Sequence, residues 1–375
     1  MKSVALGDVC EVTTGQSAPQ DHEAFGQCGT PFVRAGSLER LCAGESEDTL
    51  ELVEPEKARR YRLKLYPANT VVFPKSGMSA KVGRVYRLGR DCHLVSHLAA
   101  VLPSTQVDSS YLHRWFEYSP TSRLIENDAY PSIKTSTLKK LQIPLPPLPE
   151  QRRIAAILDK ADALRAKRRD AIAKLDQLLQ SVFLGMFGNP ASNPKNWPVA
   201  PLGSLCINED ARRKPIKQSD RDGREGPYPY YGASGVIDSF DDYLFDGERL
   251  LVAEDGANLV ARSSPIAFMA RGRYWVNNHA HVLAASEGAD LRFIERALEL
   301  LDLEPYITGS AQPKLNQANL ERIELPVPPL EMQRRFRTFC ERLESERQQA
   351  VAQLDSIGSL FSSLQMSAFL GANAP

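Results

Sequence analysis

The sequence LQIPLPPLPEQRR, at Leu141–Arg153, returns as IELPVPPLEMQRR at Ile323–Arg335, 182 residues further along the chain. Each copy ends a segment of mixed pattern and opens a long polar helix. An internal repeat of this length indicates two homologous halves, because solenoid repeats are far shorter. Two equivalent halves predict two equivalent binding domains.

The repeat extends beyond the proline-rich motif, although the middle of each half diverges. Matching pairs lie at the same or a similar displacement: Leu6–Cys10 with Leu202–Cys206, Tyr111–Arg114 with Phe293–Arg296, and Ala129–Ile133 with Ala311–Leu315. In the middle, PFVRAGS at Pro31–Ser37 has only a loose counterpart in PYYGASG at Pro229–Gly235. A shared scaffold with different central loops is typical of two copies with two binding specificities.

Each proline-rich motif is followed by a heptad-like pattern. Apolar or small residues recur in the first helix at Ile154, Ile157, Ala161, Leu164, Ala171, Leu175, Leu178 and Val182. The second helix begins with Phe336, Phe339, Cys340 and Leu343 and ends near Phe369–Gly371. This spacing predicts two rods that pack antiparallel as a coiled-coil spacer. The alternative is two unrelated surface helices, each packed on its own domain.

The remaining patterns predict an α+β protein with two homologous α/β domains separated by these helices. Helical patterns cover Tyr111–Ile125 and Leu291–Leu301. A turn-rich linker with Trp197 as an anchor separates the halves. The predicted segments are a first domain at 1–145, a helix at 146–187, the linker at 188–198, a second domain at 199–325 and a second helix at 326–375.

Composition favours a soluble, cytoplasmic protein. The six cysteines lie singly, a pattern expected of buried reduced thiols. No segment resembles a signal peptide or a membrane span. The 46 basic and 46 acidic residues balance overall. Basic clusters nevertheless occur locally, at 57–64, 75–90, 212–214 and 271–273, and such clusters suit phosphate groups.

Catalytic motifs are absent from the sequence. It has no Gly-Lys dipeptide for a phosphate-binding loop and no acidic residue two positions before a lysine, as nucleases have. The pairs His93/His97 and His279/His281 lack further Cys or His ligands for a metal site, and His279 is expected to end a strand in the core. The Asn-Pro-Pro-aromatic motif of amino-methyltransferases is also missing. We therefore expect no enzyme activity, bound metal or cofactor of this chain's own.

The duplicated motif resembles that of the specificity subunit of type I restriction–modification enzymes. The resemblance is carried by Pro144–Gln151 with its copy Pro326–Gln333, by Tyr228–Gly235 and Ala253–Asn258, and by Phe187–Pro190. It covers essentially the whole chain. One departure is that Pro149-Glu150 of the first copy becomes Glu331-Met332 in the second.

The resemblance implies a complex in which different subunits have different functions. Each α/β domain is a target-recognition domain that would read one half of a bipartite site in double-stranded DNA. The helices would fix the half-site spacing and dock two methyltransferase subunits, which would bind S-adenosylmethionine and methylate adenine. A restriction subunit would supply cleavage that depends on ATP and Mg²⁺. Helix residues expected to mark the docking surface are Ile154, Ile157, Leu164, Leu175, Phe336, Phe339 and Leu343.

Candidate DNA contacts are polar and aromatic residues of the predicted loops, because base edges and phosphates need hydrogen-bond donors. In the first half they are Arg34, Ser37, Lys75, Ser76, Ser79, Lys81 and Lys134. In the second half they are Tyr230, Tyr231, Ser234, Asn258, Arg262 and Lys314.

Three other functions stay open on the sequence. The chain is also compatible with a specificity subunit of a related type II system, or with an orphan that competes for modification subunits. A coiled-coil scaffold with peptide-binding domains is a further alternative, although basic loop clusters in both halves do not favour it. A self-sufficient nuclease or methyltransferase is disfavoured by the missing motifs.

Overall fold

The computed structural model describes residues 3–21, 24–309 and 311–370, without the side chain of Leu370. Gly371, at the predicted end of the second rod, lies outside these residues. The chain divides into two compact units. Unit 1 comprises Met1–Arg168 and Gln353–Pro375, and unit 2 comprises Arg169–Ala352. No helix among the described residues has the length and hydropathy to cross a membrane.

Two long helices each contribute one part to unit 1 and the other part to unit 2. They are α7 (Leu148–Phe187) and α13 (Leu330–Leu370). The other elements of unit 1 are the helices α1 (Leu6–Val9), α2 (Ser37–Cys42), α3 (Pro55–Arg60), α4 (Met78–Val82), α5 (Ser109–Tyr118) and α6 (Thr135–Lys140), and the strands β1 (Ser3–Ala5), β2 (Cys10–Thr14), β3 (Thr30–Val33), β4 (Leu52–Val53), β5 (Val71–Pro74), β6 (Tyr86–Arg87), β7 (His93–Leu94), β8 (Leu98–Pro103) and β9 (Gln142–Pro144).

Unit 2 contains a corresponding set of elements. They are the helices α8 (Leu202–Leu205), α9 (Gln218–Arg221), α10 (Asn258–Ala261), α11 (Leu291–Leu300) and α12 (Gln317–Glu321), and the strands β10 (Val199–Pro201), β11 (Cys206–Asn208), β12 (Tyr228–Gly232), β13 (Gly235–Phe240), β14 (Phe245–Asp246), β15 (Arg249–Ala253), β16 (Ala267–Ala270), β17 (Arg273–Val276), β18 (Ala280–Ala285) and β19 (Glu324–Pro326).

The main sheets of the two units have the same topology, which confirms the predicted repeat and the mixed fold class. The main sheet of unit 1 has the order β2-β8-β5-β6, and the main sheet of unit 2 has the order β11-β18-β15-β16. Beside each lies a smaller sheet with one parallel pair, β3 with β7 and β12 with β17. A two-stranded ladder, β1 with β9 or β10 with β19, leads into each long helix.

The predicted helix over Tyr111–Ile125 is wrong at its C-terminal end. Helix α5 stops at Tyr118, and only a 3₁₀ turn covers Thr121–Leu124. Pro120 is the reason, because proline lacks a backbone N–H and disfavours helical geometry in the residue before it. The equivalent helix α11, predicted over Leu291–Leu301, ends at Leu300 and is confirmed.

The long helices pair antiparallel within each unit, as the heptad pattern predicted. In unit 1 the start of α7 and the end of α13 line one groove, to which α7 contributes Ile154 and Leu158 and α13 contributes Leu364 and Ala368. In unit 2 the order is again reversed, since Phe336 of early α13 packs on Phe183 of late α7 with ring centroids 5.3 Å apart.

The glutamine of each proline-rich motif explains why the motif is repeated. Gln151 is fully buried, and its Oε1 accepts a hydrogen bond from Asp108 N at 2.8 Å. Its Nε2 donates to the carbonyls of Gln106 and Pro146, at 2.9 and 2.8 Å. The amide therefore links the start of α5 to the proline segment before α7. The departure at positions 149–150 does not alter these hydrogen bonds, because the half-buried Glu150 pairs with Arg153 instead.

The predicted anchoring role of Trp197 is confirmed at the end of α7. Its Nε1–H donates to Phe187 O at 3.1 Å, and Lys195 Nζ donates to the carbonyls of Gly185 and Met186, both at 2.8 Å. Gly188 has a φ of 84°, the left-handed conformation that commonly ends helices. A cation on the last free carbonyls also suits the negative end of the helix dipole.

The predicted burial of all six cysteines is wrong for two of them. Cys10, Cys92, Cys206 and Cys340 are buried, whereas Cys28 and Cys42 are exposed. Both exposed thiols lie outside the β-strands: Cys28 in the loop before β3 and Cys42 at the end of α2.

Candidate nucleic-acid interface

In unit 1 a short segment, Val95–His97, joins the ends of two strands that belong to different sheets. Val95 N donates to Val33 O, the last residue of β3, at 3.0 Å. Two residues later, His97 O accepts from Lys75 N, directly after β5, at 2.9 Å. The residues that follow β3 and β5 are therefore placed at one edge of the unit.

The repeated segment around Pro131, which we call the proline turn, completes this edge. Gly77 N donates to Pro131 O at 2.9 Å, and Ile133 N donates to Lys75 O at 2.8 Å. Gly77 has a φ of 74°, a conformation that side chains other than glycine rarely adopt. We call this edge the strand-end surface of unit 1 and define it by Lys75, Ser76, His97 and Ser132.

Unit 2 builds the same surface with the same backbone bonds. They are Asn277 N to Tyr231 O at 3.0 Å, Glu254 N to His279 O at 2.9 Å, Gly256 N to Pro313 O at 3.0 Å and Leu315 N to Glu254 O at 2.8 Å. The strand-end surface of unit 2 accordingly consists of Glu254, Asp255, His279 and Lys314, which occupy the places of Lys75, Ser76, His97 and Ser132.

The two surfaces share their backbone but differ in charge. Unit 1 has Lys75 and Ser76 where unit 2 has Glu254 and Asp255. In unit 2 the carboxylate of Glu254 pairs with Lys314 at 3.2 Å. Burial raises the pKa of Glu254, but bonds and charges from Arg213, His281 and Lys314 outweigh it and leave the pKa below its ordinary value. At these two positions the shared frame therefore has an amine and a hydroxyl in unit 1, and two carboxylates in unit 2.

The structure brings two of the seven predicted contacts of unit 1 onto the strand-end surface. Lys75 and Ser76 are part of it, and Ser76 Oγ lies 2.7 Å from His97 Nδ1. Lys134 follows Ile133 at the N-terminal end of α6 and is exposed. Ser79 and Lys81 lie on the short helix α4 after Gly77, where Lys81 pairs with Asp128 at 3.1 Å.

Arg34 directly follows β3, and Ser37 is the first residue of α2. The Arg34 guanidinium pairs with Glu51 at 2.6 Å and lies 5.2 Å from the centroid of the Phe25 ring. Ser37 Oγ accepts a bond from Arg34 N at 3.2 Å. Both side chains are half-buried, so their roles as DNA contacts stay predictions.

The prediction that the Tyr230 side chain contacts DNA is wrong. Only 1% of Tyr230 is exposed. Its ring packs edge-on against Phe240, and the Arg221 guanidinium lies 4.5 Å from its centroid. An aromatic residue in a strand suits a core as well as a surface, and here the smaller sheet uses it as core.

The other predicted contacts of unit 2 lie in different environments. Tyr231 is half-buried, stacks on Phe268 and has its pKa raised by burial. Ser234 is exposed in the turn between β12 and β13. Asn258 accepts from Ser264 N at 3.0 Å and donates to Ser264 O at 2.9 Å, which closes its own loop.

Arg262 and Lys314 differ in how freely they face solvent. Arg262 Nη2 donates to Leu301 O at 2.9 Å, just beyond the C-terminal end of α11. Its guanidinium therefore helps to hold the domain together, and DNA contact by Arg262 stays a prediction. Lys314 is exposed beside Glu254 on the strand-end surface.

Three of the seven helix residues predicted to mark the docking surface are used inside the chain. Ile154, Phe336 and Leu343 are buried within their own units. They pack against the partner helix or the α/β domain, so their prediction as docking contacts is wrong. Ile157, Leu175 and Phe339 are half-buried, and Leu164 is exposed by 51%.

Sequence reasoning missed the histidines of the strand-end surfaces. His279 was expected in the core, yet its side chain is 48% exposed. His97 is exposed as well, and it lies at the equivalent position, 182 residues earlier. That displacement is the one shared by the proline-rich motifs, so the repeat itself was the signal that relates the two histidines.

His281, by contrast, belongs to a buried ion-pair cluster with Asp210, Glu254 and Arg213. Ligand atoms of Asp210, Glu254 and His281 lie within 4.8 Å of one another, a spacing that a metal ion could use. The Arg213 guanidinium already pairs with both carboxylates, at 3.2 and 2.8 Å. Both ring nitrogens of His281 are also engaged, with Asp210 and with Leu315 O. These contacts fit an internal salt-bridge network better than a metal site.

Comparisons with known proteins are consistent with the repeated architecture. Over 98% of its length the chain resembles the crystal structure of the type I restriction–modification system S subunit from M. genitalium, with a TM-score of 0.67 and 16% identity, covering 96% of that chain. It also resembles a chain from a structural study of complex assembly and conformational transition of the type I R-M system, with a TM-score of 0.57 and 15% identity over 98% of this chain and 97% of that one. At these identities the likeness shows the fold alone.

Sequence comparison identifies the family. A putative type I restriction enzyme specificity subunit of Haemophilus influenzae is 36% identical over 133 residues, which are 36% of this chain and 34% of that protein. The MjaIX specificity subunit of Methanocaldococcus jannaschii is 34% identical over 37% of this chain and 30% of its own length. The matched segments thus span about a third of these relatives. Residues 1–174 and 194–353 match the family described as type I restriction modification DNA specificity domain, and the chain belongs to that family.

Proposed function

We propose that this chain is the subunit that gives a type I restriction–modification complex its DNA sequence specificity. Unit 1 and unit 2 would each read one half of a bipartite site in double-stranded DNA. The observation that carries the proposal is the family match over both halves, combined with two strand-end surfaces that have one backbone design and different side chains. Readers of two different half-sites need that combination.

The strand-end surfaces have the chemistry that base recognition requires. Lysine and serine donate hydrogen bonds to guanine, a serine hydroxyl also accepts them from amino groups, and aspartate and glutamate accept from the amino group of cytosine. Lys75 and Ser76 offer such groups in unit 1. In unit 2 the carboxylates of Glu254 and Asp255 are paired with Lys314 and His279, which are the more exposed side chains. Lys134, exposed beside the unit 1 surface, is suited to a phosphate contact that fixes position without reading sequence.

The long helices would dock two methyltransferase subunits through the parts that intrachain packing leaves exposed. Leu164, Leu360 and Met366 are 51–56% exposed in the helix pair of unit 1, and Leu178 is 44% exposed in the pair of unit 2. Exposed apolar side chains of this size on a helix pair favour a protein partner.

The chemistry of the complex would reside in the other subunits. In this proposal the chain is not an enzyme and carries no cofactor of its own. The methyltransferase subunits would bind S-adenosylmethionine, and any restriction subunit would use ATP and Mg²⁺. The complex would work in the cytoplasm, where chromosomal DNA is accessible.

A domain exchange tests the two-reader proposal. Residues 1–145 are replaced by the corresponding domain of a specificity subunit that reads a different half-site, and the complex is co-expressed with its methyltransferase subunits. Sequencing of methylated bases should show a change in one half of the recognised site only. Exchange of residues 199–325 is the matched control and should change only the other half. A change in both halves, or in neither, would contradict the proposal.

A further inference from the structure

The exposed histidines His97 and His279 stand at equivalent places on the two strand-end surfaces. The carbonyl of each accepts the backbone N–H that follows the central strand β5 or β15, at 2.9 Å in both units. The Nδ1 atom of each ring lies against the next residue after that N–H. His97 Nδ1 is 2.7 Å from Ser76 Oγ, and His279 Nδ1 is 2.8 Å from Asp255 Oδ2.

The neighbour decides which ring nitrogen carries the proton. A carboxylate only accepts hydrogen bonds, so the Asp255 side chain requires a proton on Nδ1 of His279. The neutral ring then offers Nε2 as a hydrogen-bond acceptor. A serine hydroxyl both donates and accepts, so Ser76 leaves His97 either tautomer. The partner of Nδ1 therefore makes Nε2 an acceptor in unit 2, whereas in unit 1 Nε2 can either donate or accept.

The position of Asp255 supports a fixed geometry for His279. Asp255 has 17% of its side chain exposed, whereas His279 has 48% exposed. Both carboxylate oxygens of Asp255 lie within 2.9 Å of His279 Nδ1. Asp255 also pairs through its backbone with Lys314 of the proline turn, so the support for the ring comes from two chain segments.

We propose that His279 is a specificity-determining residue whose Nε2 accepts a hydrogen bond from a base amino group in the major groove. Adenine N6 and cytosine N4 are the amino groups exposed there. Asp255 is the positioning residue, and His97 is the equivalent, adaptable contact in unit 1. This inference rests on the proposed function and names the chemistry that unit 2 reads.

The test uses the complete complex of this chain with its methyltransferase subunits. Binding is selected from duplex libraries in which one half-site at a time is randomised. In the unit 2 half-site, we expect one position where the wild-type chain prefers adenine or cytosine. His279→Ala and His279→Phe should each reduce that preference about 5- to 10-fold, as expected for one lost hydrogen bond. The phenylalanine variant keeps the ring volume, which guards against a packing effect.

Two further variants separate recognition from folding. Asp255→Ser recreates the Ser76–His97 pairing, frees the tautomer and should allow guanine at the same position, because the ring can then donate to its acceptors. His97→Ala is the matched control and should alter one position of the other half-site only.

Three results would contradict the inference. The first is that the His279 variants keep the wild-type base preference at every position. The second is that the wild-type chain prefers guanine at the affected position. The third is that the Asp255→Ser variant has the same base preference as the wild type. If the domain exchange still changes one half-site, these results overturn the inference about His279 and leave the proposed function standing. If the exchange also fails, the proposed function itself is wrong.

Discussion

The amide oxygen of Gln333 accepts a hydrogen bond from the backbone N–H of Asp290 at 2.9 Å, where helix α11 begins. Gln333 Nε2 donates to Pro328 O at 2.8 Å, and the side chain is fully buried. Gln151 makes the equivalent bonds in unit 1. The invariant part of the repeat therefore holds each long helix onto the α/β domain that precedes it.

Gln333→Ala should destabilise unit 2 by about 2–4 kcal/mol, because it leaves a buried N–H and a buried carbonyl without partners. Urea unfolding of the full-length chain, followed by circular dichroism, measures the change. Arg334→Ala, at the next and exposed position, is the control and should shift stability by less than about 0.5 kcal/mol. Equal stability of the two variants would show that the glutamine bonds contribute nothing net.

Phe336→Ala should cost about 3–5 kcal/mol of stability, the usual range for removing a buried ring. Phe336 is fully buried and packs on Phe183 and Phe187, with centroids 5.3 and 5.5 Å away. Arg342→Ala, an exposed change in the same helix, serves as the control. A loss below about 1 kcal/mol for Phe336→Ala would mean that the helix pair of unit 2 is not held by this aromatic cluster.

Asp210 should make unit 2 sensitive to acid. Burial raises the pKa of Asp210, but the His281 hydrogen bond and charge, with help from Val282 N and Arg213, lower it below its ordinary value of 3.8. A carboxyl with a lowered folded pKa adds stability above its unfolded pKa, and that stability is lost as the pH falls towards the folded pKa.

Asp210→Asn should therefore be less stable than the wild type at neutral pH, and the difference should shrink as the pH falls below about 4. Urea unfolding between pH 7 and pH 3 measures both curves. Asp170→Asn, in an exposed pair with Lys174, is the control and should run parallel to the wild type. A constant gap between Asp210→Asn and the wild type at all pH values would contradict the assignment.

Lys134→Ala should weaken DNA binding by the whole complex without changing the preferred sequence, because a phosphate contact carries no base information. The slope of log affinity against log salt concentration should decrease by about 1, as expected for one lost phosphate contact. Lys174→Ala, on the exposed face of α7, should leave both quantities unchanged. An altered base preference for Lys134→Ala would instead assign that residue to direct readout.

The sequence predicted the duplication, the shared α/β scaffold of the two halves and the antiparallel helices, because periodicity and the repeat are direct consequences of packing. It did not identify the burial of Tyr230, since an aromatic residue in a strand suits core and surface alike. It also could not separate helix residues that pack inside the chain, such as Phe336, from exposed ones such as Leu164. A heptad pattern marks an apolar face and does not say which partner covers it.

The displacement of 182 residues in the sequence relates His97 to His279. The hydrogen bonds of the two side chains could not be predicted from it. Those bonds join residues 21 positions apart in unit 1 and 24 positions apart in unit 2. Only the fold brings Ser76 to His97 and Asp255 to His279. The chemistry that differs between the two surfaces therefore depends on tertiary contacts between loops.

Sequencing of methylated bases tests the central claim most directly. A host that expresses the methyltransferase subunit is compared with and without this chain. We predict a new bipartite motif, methylated at adenine in both halves, that appears only when the chain is present. A methylome that is the same in both strains would contradict the claim that this chain directs DNA modification.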